Sequence, residues 1–190
     1  MRLAVSGSHG TGKSTLIAAF LARRPDFMLE PEAFETLGDD VDLTEAGGPT
    51  ADGLRLLLEH TARAVARYPA GARVVHERSP VDYLAYAAAS RRAWPEGDAK
   101  EFIEVQLPVV RDCLRHLDLI ALVPVSAAIA ARPEDDERLR KRVDERLRRA
   151  LIDDDYDLLS GRDAPRVVEL PPAVDRWLDV LVRLTQEERQ

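Results

Sequence analysis

The chain reads as an α/β protein: a parallel sheet covered by helices on both faces. Three observations predict this. Short apolar runs of strand length alternate with helix-period segments along all 190 residues. The first run stops at a glycine-rich turn that opens a helix, and residues 117–123 are the most continuous apolar run of the chain, as expected of a strand buried on both faces. With 45% hydrophobic residues and no repeat, linker or low-complexity tract, residues 1–190 are expected to form one domain around a substantial core.

Residues 2–6 give the first strand. Leu16, Ile17, Phe20 and Leu21 then define the apolar face of a helix over 13–24, which Pro25 stops. Residues 27–29 read as a short second strand and 36–50, acidic and glycine-bearing, as a loop. Leu54, Leu57, Leu58, Thr61, Val65 and Tyr68 carry the next helix, closed by Pro69 and Gly71. The third strand is 73–76. Ser79-Pro80 supplies a cap and a first-turn proline for a helix to about residue 91.

A loop at 94–97 leads to a helix capped by Asp98, with apolar positions Phe102, Val105, Val109 and Leu114 and a bend expected at Pro108. After the strand at 117–123, residues 133–150 form a very charged helix with the narrow stripe Leu139, Val143, Leu147 and Leu151. A last strand at 166–170 and a last helix at 173–186 complete the chain.

Composition excludes several classes. Lys+Arg 27 against Asp+Glu 34 leaves a net charge of −7, a soluble surface that disfavours a dedicated nucleic-acid binder but leaves room for a local anion pocket. One cysteine, Cys113, excludes an intramolecular disulfide and a cysteine-rich zinc site. The N-terminus has neither signal-peptide nor membrane-span character, so a cytoplasmic protein is expected.

Gly7-Ser8-His9-Gly10-Thr11-Gly12-Lys13-Ser14-Thr15 matches G-x-x-x-x-G-K-[ST] between a strand and a helix. The glycines allow a tight loop whose N–H groups converge on a phosphate chain, and the helix adds its positive N-terminal end. Gly7, Gly10, Thr11, Gly12, Lys13, Ser14 and Thr15, with His9 at a variable position, are therefore candidate ATP contacts. Lys13 is the candidate for the terminal phosphates, and Ser14 for Mg²⁺.

Ligands of parallel sheets bind at the carboxyl ends of strands. Three further ends bear suitable residues: Leu29-Glu30-Pro31-Glu32, His76-Glu77-Arg78-Ser79-Pro80, and 124–126 running into the arginine-rich stretch 132–142.

With these segments the chain resembles the P-loop nucleoside and nucleotide kinases, especially the deoxynucleoside-kinase-like branch. There a Glu-Pro pair follows strand two, a Glu/Asp-Arg-Ser motif follows strand three, and a basic lid follows strand four. ERSPVDYLAYAAA and RLRKRVDERLRRAL also resemble small AAA-type bacterial proteins related to the ribosylnicotinamide kinases. The resemblance implies a three-layer P-loop fold with strand order 2-3-1-4-5 and a helical lid at about 126–142. It assigns Glu30 as the acid that takes the acceptor proton, Glu77 as the holder of the Mg²⁺ water shell and Arg78 as the neutralising base. Glu32 is the rival to Glu30. In the lid, Arg138 and Arg142, four apart on one helical face, are singled out with Arg132.

The expected activity is ATP-dependent phosphoryl transfer to a hydroxyl or phosphate of a small metabolite, a nucleoside or nucleotide first. A regulatory module that hydrolyses or senses ATP is the alternative, and a homodimer stays open. No Asn-Lys-x-Asp motif for reading guanine is present.

Overall fold

The computed structural model describes residues 1–37, 50–90, 94, 97–130 and 136–186. Five parallel strands lie in the order β2-β3-β1-β4-β5, as expected. In chain order they are β1 (Arg2–Ser6), β2 (Met28–Glu30), β3 (Val74–Glu77), β4 (Leu119–Leu122) and β5 (Arg166–Glu169). The helices are α1 (Lys13–Arg23), α2 (Ala33–Leu37), α3 (Ala51–Ala66), α4 (Pro80–Ala89), α5 (Asp98–Leu114), α6 (Glu137–Leu151) and α7 (Trp177–Leu184).

Strand alternation sorts the core into two layers. Leu3, Val5, Val75, Leu119 and Ala121 face α1 and α7, and pack with Ile17, Phe20 and Leu181. Ala4, Ile120 and Leu122 face α3 to α6, and pack with Leu58, Leu84, Leu114 and Leu147. Register aligns Val5 with Glu77 and Ser6 with Leu122, so the β1 and β3 exits open side by side. No described helix is long and apolar enough to cross a membrane.

Several boundaries differ from expectation. β2 and β3 each end one residue later, at Glu30 and Glu77, because their last pairings with neighbouring strands persist to those residues. A short helix, α2, begins at Ala33 within and before the expected loop, whose residues 38–49 lie outside the described part. On α5 the buried positions are Ala99, Phe102, Gln106, Val110, Cys113 and Leu114, while Val105 and Val109 are exposed. The helix continues through Pro108, whose missing N–H would have served the carbonyl of solvent-facing Glu104. The last helix is split into a 3₁₀ turn at Val174–Arg176 followed by α7.

α6 is not a solvated rod. Val143, Leu147, Ala150 and Leu151 enter the α4-side core, and of its interleaved charges Arg140 is buried as well.

The strand origins are fastened by Asp118, which accepts from the Arg2 backbone N–H at 2.6 Å and from Arg2 Nη2 at 2.8 Å. Burial pushes this carboxyl up, but the Arg2 hydrogen bonds outweigh it and hold it below its ordinary value. A depressed acid stabilises the fold above its unfolded pKa and loses that contribution as pH falls through the folded one. Asp118→Asn should cost about 1–3 kcal/mol at pH 7 in urea unfolding, with the gap to wild type closing as pH falls below the ordinary carboxylate range.

Candidate active site

The turn between β1 and α1 is shaped by close approach. A Cβ on Gly7 would lie 2.7 Å from the Val123 carbonyl oxygen, and Gly10 and Gly12 have φ of 63° and 87°. Thr11 Oγ1 donates to the Ser8 carbonyl at 2.9 Å and tightens the loop. No side chain of the cap residue, Gly12, closes the start of α1, so the helix presents its first N–H groups where an anion would sit.

Lys13 is buried at 4% exposure, and its Nζ donates to the Ser8 carbonyl at 2.7 Å. Burial lowers its pKa to about 7; Arg78 adds to the depression, and Asp82, Glu32 and Glu77 oppose it. A buried ammonium held mainly by a carbonyl is a site built for an anion.

Glu77 belongs to the sheet face that looks at α1, with Val5 and Val75. There it accepts from Ser14 Oγ at 2.8 Å. Burial pushes its carboxyl up, outweighing the Ser14 hydroxyl and the Lys13 charge. A hydroxyl and an under-neutralised carboxylate beside a phosphate loop fit Mg²⁺, which takes few protein ligands and fills its shell with phosphate oxygens and water. Among the described residues no trio of His, Cys, Asp and Glu gathers to hold an ion by itself.

Arg78 follows in the left-handed region, at φ 74°, and its side chain is 8% exposed. Nη1 donates to the Gly7 carbonyl at 2.9 Å and lies 3.3 Å from Asp82 Oδ1; Nε pairs with Glu32 Oε1, and the guanidinium stands 5.3 Å over the Tyr86 ring. Burial works against its charge, but Tyr86, Glu32 and Asp82 outweigh that and keep it protonated. Tyr86 also braces the loop: its hydroxyl accepts from the His9 backbone N–H at 3.1 Å and lies 3.0 Å from His9 Nδ1.

The two candidate acids of the second strand part company. Glu30 pairs in register with His76, on the face that looks at α3. Its carboxylate is taken by Arg67 and by the Tyr68 hydroxyl, the latter at 2.7 Å. Glu32, two residues past the strand, is the acid that reaches Arg78. The sheet turns Glu30 toward the end of α3, and Glu32 joins the phosphate-loop cluster.

The lid arginines are redistributed too. Arg142 Nε donates to the Ala89 carbonyl at 3.1 Å, at the end of α4, and Arg138 is exposed. Arg140 is the buried one, donating to the Ile129 carbonyl at 3.0 Å. Ile129 in turn lies against Gly12, where a Cβ would meet its Cδ1 at 3.0 Å. Arg132 lies outside the described residues. Asp82, Tyr86 and Arg140 were not singled out by spacing. Asp82 alone carries a legible signal, a capping box with Ser79.

Fold and site together define a P-loop α/β protein. The chain belongs to the AAA_28 family, an AAA domain, whose model matches residues 2–161. Solved structures with this fold include deoxyadenosine kinase from M. mycoides with bound dATP, at TM-score 0.69 and 15% identity over 98% of this chain and 100% of that one. NadR protein in complex with NAD and AMP-PNP matches at TM-score 0.67 and 21% identity, over 98% of this chain and 48% of that one, so this chain spans about half of NadR. No curated protein matches the sequence.

The depressed Lys13 makes a signed prediction. Phosphate favours its charged form, so binding raises its pKa and takes up a proton above pH 7. AMP-PNP affinity should be flat below about pH 7 and fall up to about tenfold per pH unit above it. Calorimetry in two buffers at pH 8 should show proton uptake that Lys13→Met abolishes.

Proposed function

We propose that this protein is an ATP-dependent kinase that phosphorylates a hydroxyl of a small metabolite, with nucleosides and nucleotides the first class of acceptor. The observation that carries the reading is the Glu32–Arg78 pair, a carboxylate and a guanidinium joined at the rim of the phosphate loop. An ATP-hydrolysing switch must place a water; a kinase also needs an acid for an acceptor hydroxyl and a cation beside it. The likeness in fold to deoxyadenosine kinase and to NadR supports the same class.

In this reading the loop N–H groups of 10–14 and Lys13 hold the donor phosphates. Ser14 would hold Mg²⁺ directly and Glu77 would orient its water shell. Bound Mg²⁺ would supply charge neutralisation on the phosphate oxygens. Glu32 accepts the proton of the acceptor hydroxyl, and Arg78 neutralises charge on the group in transfer. Glu30 is a fastener: through Arg67 and Tyr68 it ties the end of α3 to β2, which keeps the segment bearing Glu32 in place.

A panel of nucleosides, nucleotides and vitamin ribosides, scored for stimulated ATP consumption, tests the activity. With the best acceptor, Glu32→Gln should lower transfer by about 10²- to 10⁴-fold with ATP affinity nearly unchanged. Glu30→Gln should have the smaller effect, and background hydrolysis should barely move in either. Equal transfer by Glu32→Gln and wild type would remove Glu32 from the role. ATP use that no metabolite stimulates would leave a regulatory ATPase.

A further inference from the structure

Asp82 has no part in the chemistry above, yet it is 0% exposed and fully engaged. Its two oxygens divide their work. Oδ2 accepts from the Ser79 N–H at 2.9 Å and from Ser79 Oγ at 3.1 Å, which is the capping of α4. Oδ1 faces the other way, accepting from the Gly7 N–H at 3.0 Å and lying 3.3 Å from Arg78 Nη1. A helix cap needs only the first pair of contacts.

Gly7 is the residue these contacts converge on. Asp82 takes its N–H, Arg78 takes its carbonyl at 2.9 Å, and the Val123 carbonyl closes the space where a side chain would be. Arg78 in turn carries Glu32. The start of the phosphate loop and the acceptor-side pair thus share one support.

We propose that Asp82 is a positioning residue that sets the entrance of the phosphate loop and the Arg78 guanidinium in a single frame. This rests on the nucleotide-binding reading of the loop, not on any particular acceptor. Losing the carboxylate frees Gly7 to tilt and leaves Arg78 with Glu32 as its remaining acid, so both halves of the site shift together.

The test uses the full chain, Mg²⁺ with AMP-PNP as the probe, and the amide resonance of Gly7, which a carboxylate acceptor moves downfield. Asp82→Asn should weaken AMP-PNP about 10- to 100-fold, the range of a lost charge-assisted hydrogen bond, and move the Gly7 amide upfield. Asp82→Glu, which keeps the carboxylate on a longer arm, should fall between Asp82→Asn and wild type. Ser79→Ala, which removes the hydroxyl's contacts with Asp82 Oδ2 and Ser6 Oγ but leaves Asp82 Oδ1 on Gly7, should lower the melting temperature and weaken AMP-PNP less than Asp82→Asn does. A folded Asp82→Asn that binds AMP-PNP like wild type, with the Gly7 amide unmoved, would reduce Asp82 to a helix cap. If Asp82→Asn does not fold, Asp82→Glu decides: weakened binding with a displaced Gly7 amide supports the assignment, and wild-type values for both overturn it. AMP-PNP binding without acceptor turnover would cost the kinase reading and leave Asp82 standing. A wild type that does not bind AMP-PNP removes the loop assignment, and this one with it.

Discussion

The buried charge of Arg78 is the constraint from which the site follows. A guanidinium withdrawn from water is tolerable only when paired and hydrogen-bonded. Here the chain meets that demand at a position where the backbone itself is strained, in the left-handed region with a full side chain. Asp82, Glu32, the Gly7 carbonyl and the Tyr86 ring are all recruited to one residue. These partners come from three parts of the chain, so satisfying Arg78 also fixes the phosphate loop, α4 and the segment after β2 relative to one another.

Strand parity then decides which acid can serve which partner. Glu77 shares a sheet face with Val5 and Val75 and meets Ser14 at the start of α1. His76 and Glu30 share the opposite face and meet Tyr68 and Arg67 at the end of α3. Escape from that alternation begins only where the strand ends. Glu32 lies beyond Pro31, and so can turn back toward Arg78 on a path closed to Glu30.

Much of this was legible in the sequence, for identifiable reasons. The loop from Gly7 to Thr15 works through backbone shape, so glycine spacing and one lysine announce it locally. The alternation of strands and helices announces a parallel sheet, and its strand order was legible only through the resemblance to the P-loop kinases. That Glu32 and not Glu30 meets Arg78 was not legible, because one residue of strand length reverses a side chain's face and strand ends are the least determined feature of a sequence. On α5 the apolar spacing pointed to Val105 and Val109, but the buried face is rotated toward Gln106 and Val110, which the neighbouring helices set. In α6 the arginine buried is Arg140, and the nearby Arg138, Lys141 and Arg142 carry the same charge, so composition offers no way to tell which one turns inward.

The same cluster also concentrates buried polar groups that the surrounding chain leaves poorly matched. Lys13 is depressed to about 7, Glu77 is pushed up, and Ser8 Oγ is buried without a partner, so each is a group whose environment disfavours its present state. In the proposed reading, an anion over the loop and a cation beside Glu77 would relieve these penalties together, and the free energy so released would go into binding. Two apolar core layers flanking the sheet supply the stability that holds such groups in place beforehand. Preorganised charge costs nothing further at the moment of reaction, which is why a site can be the least comfortable part of its fold and still the most precisely held.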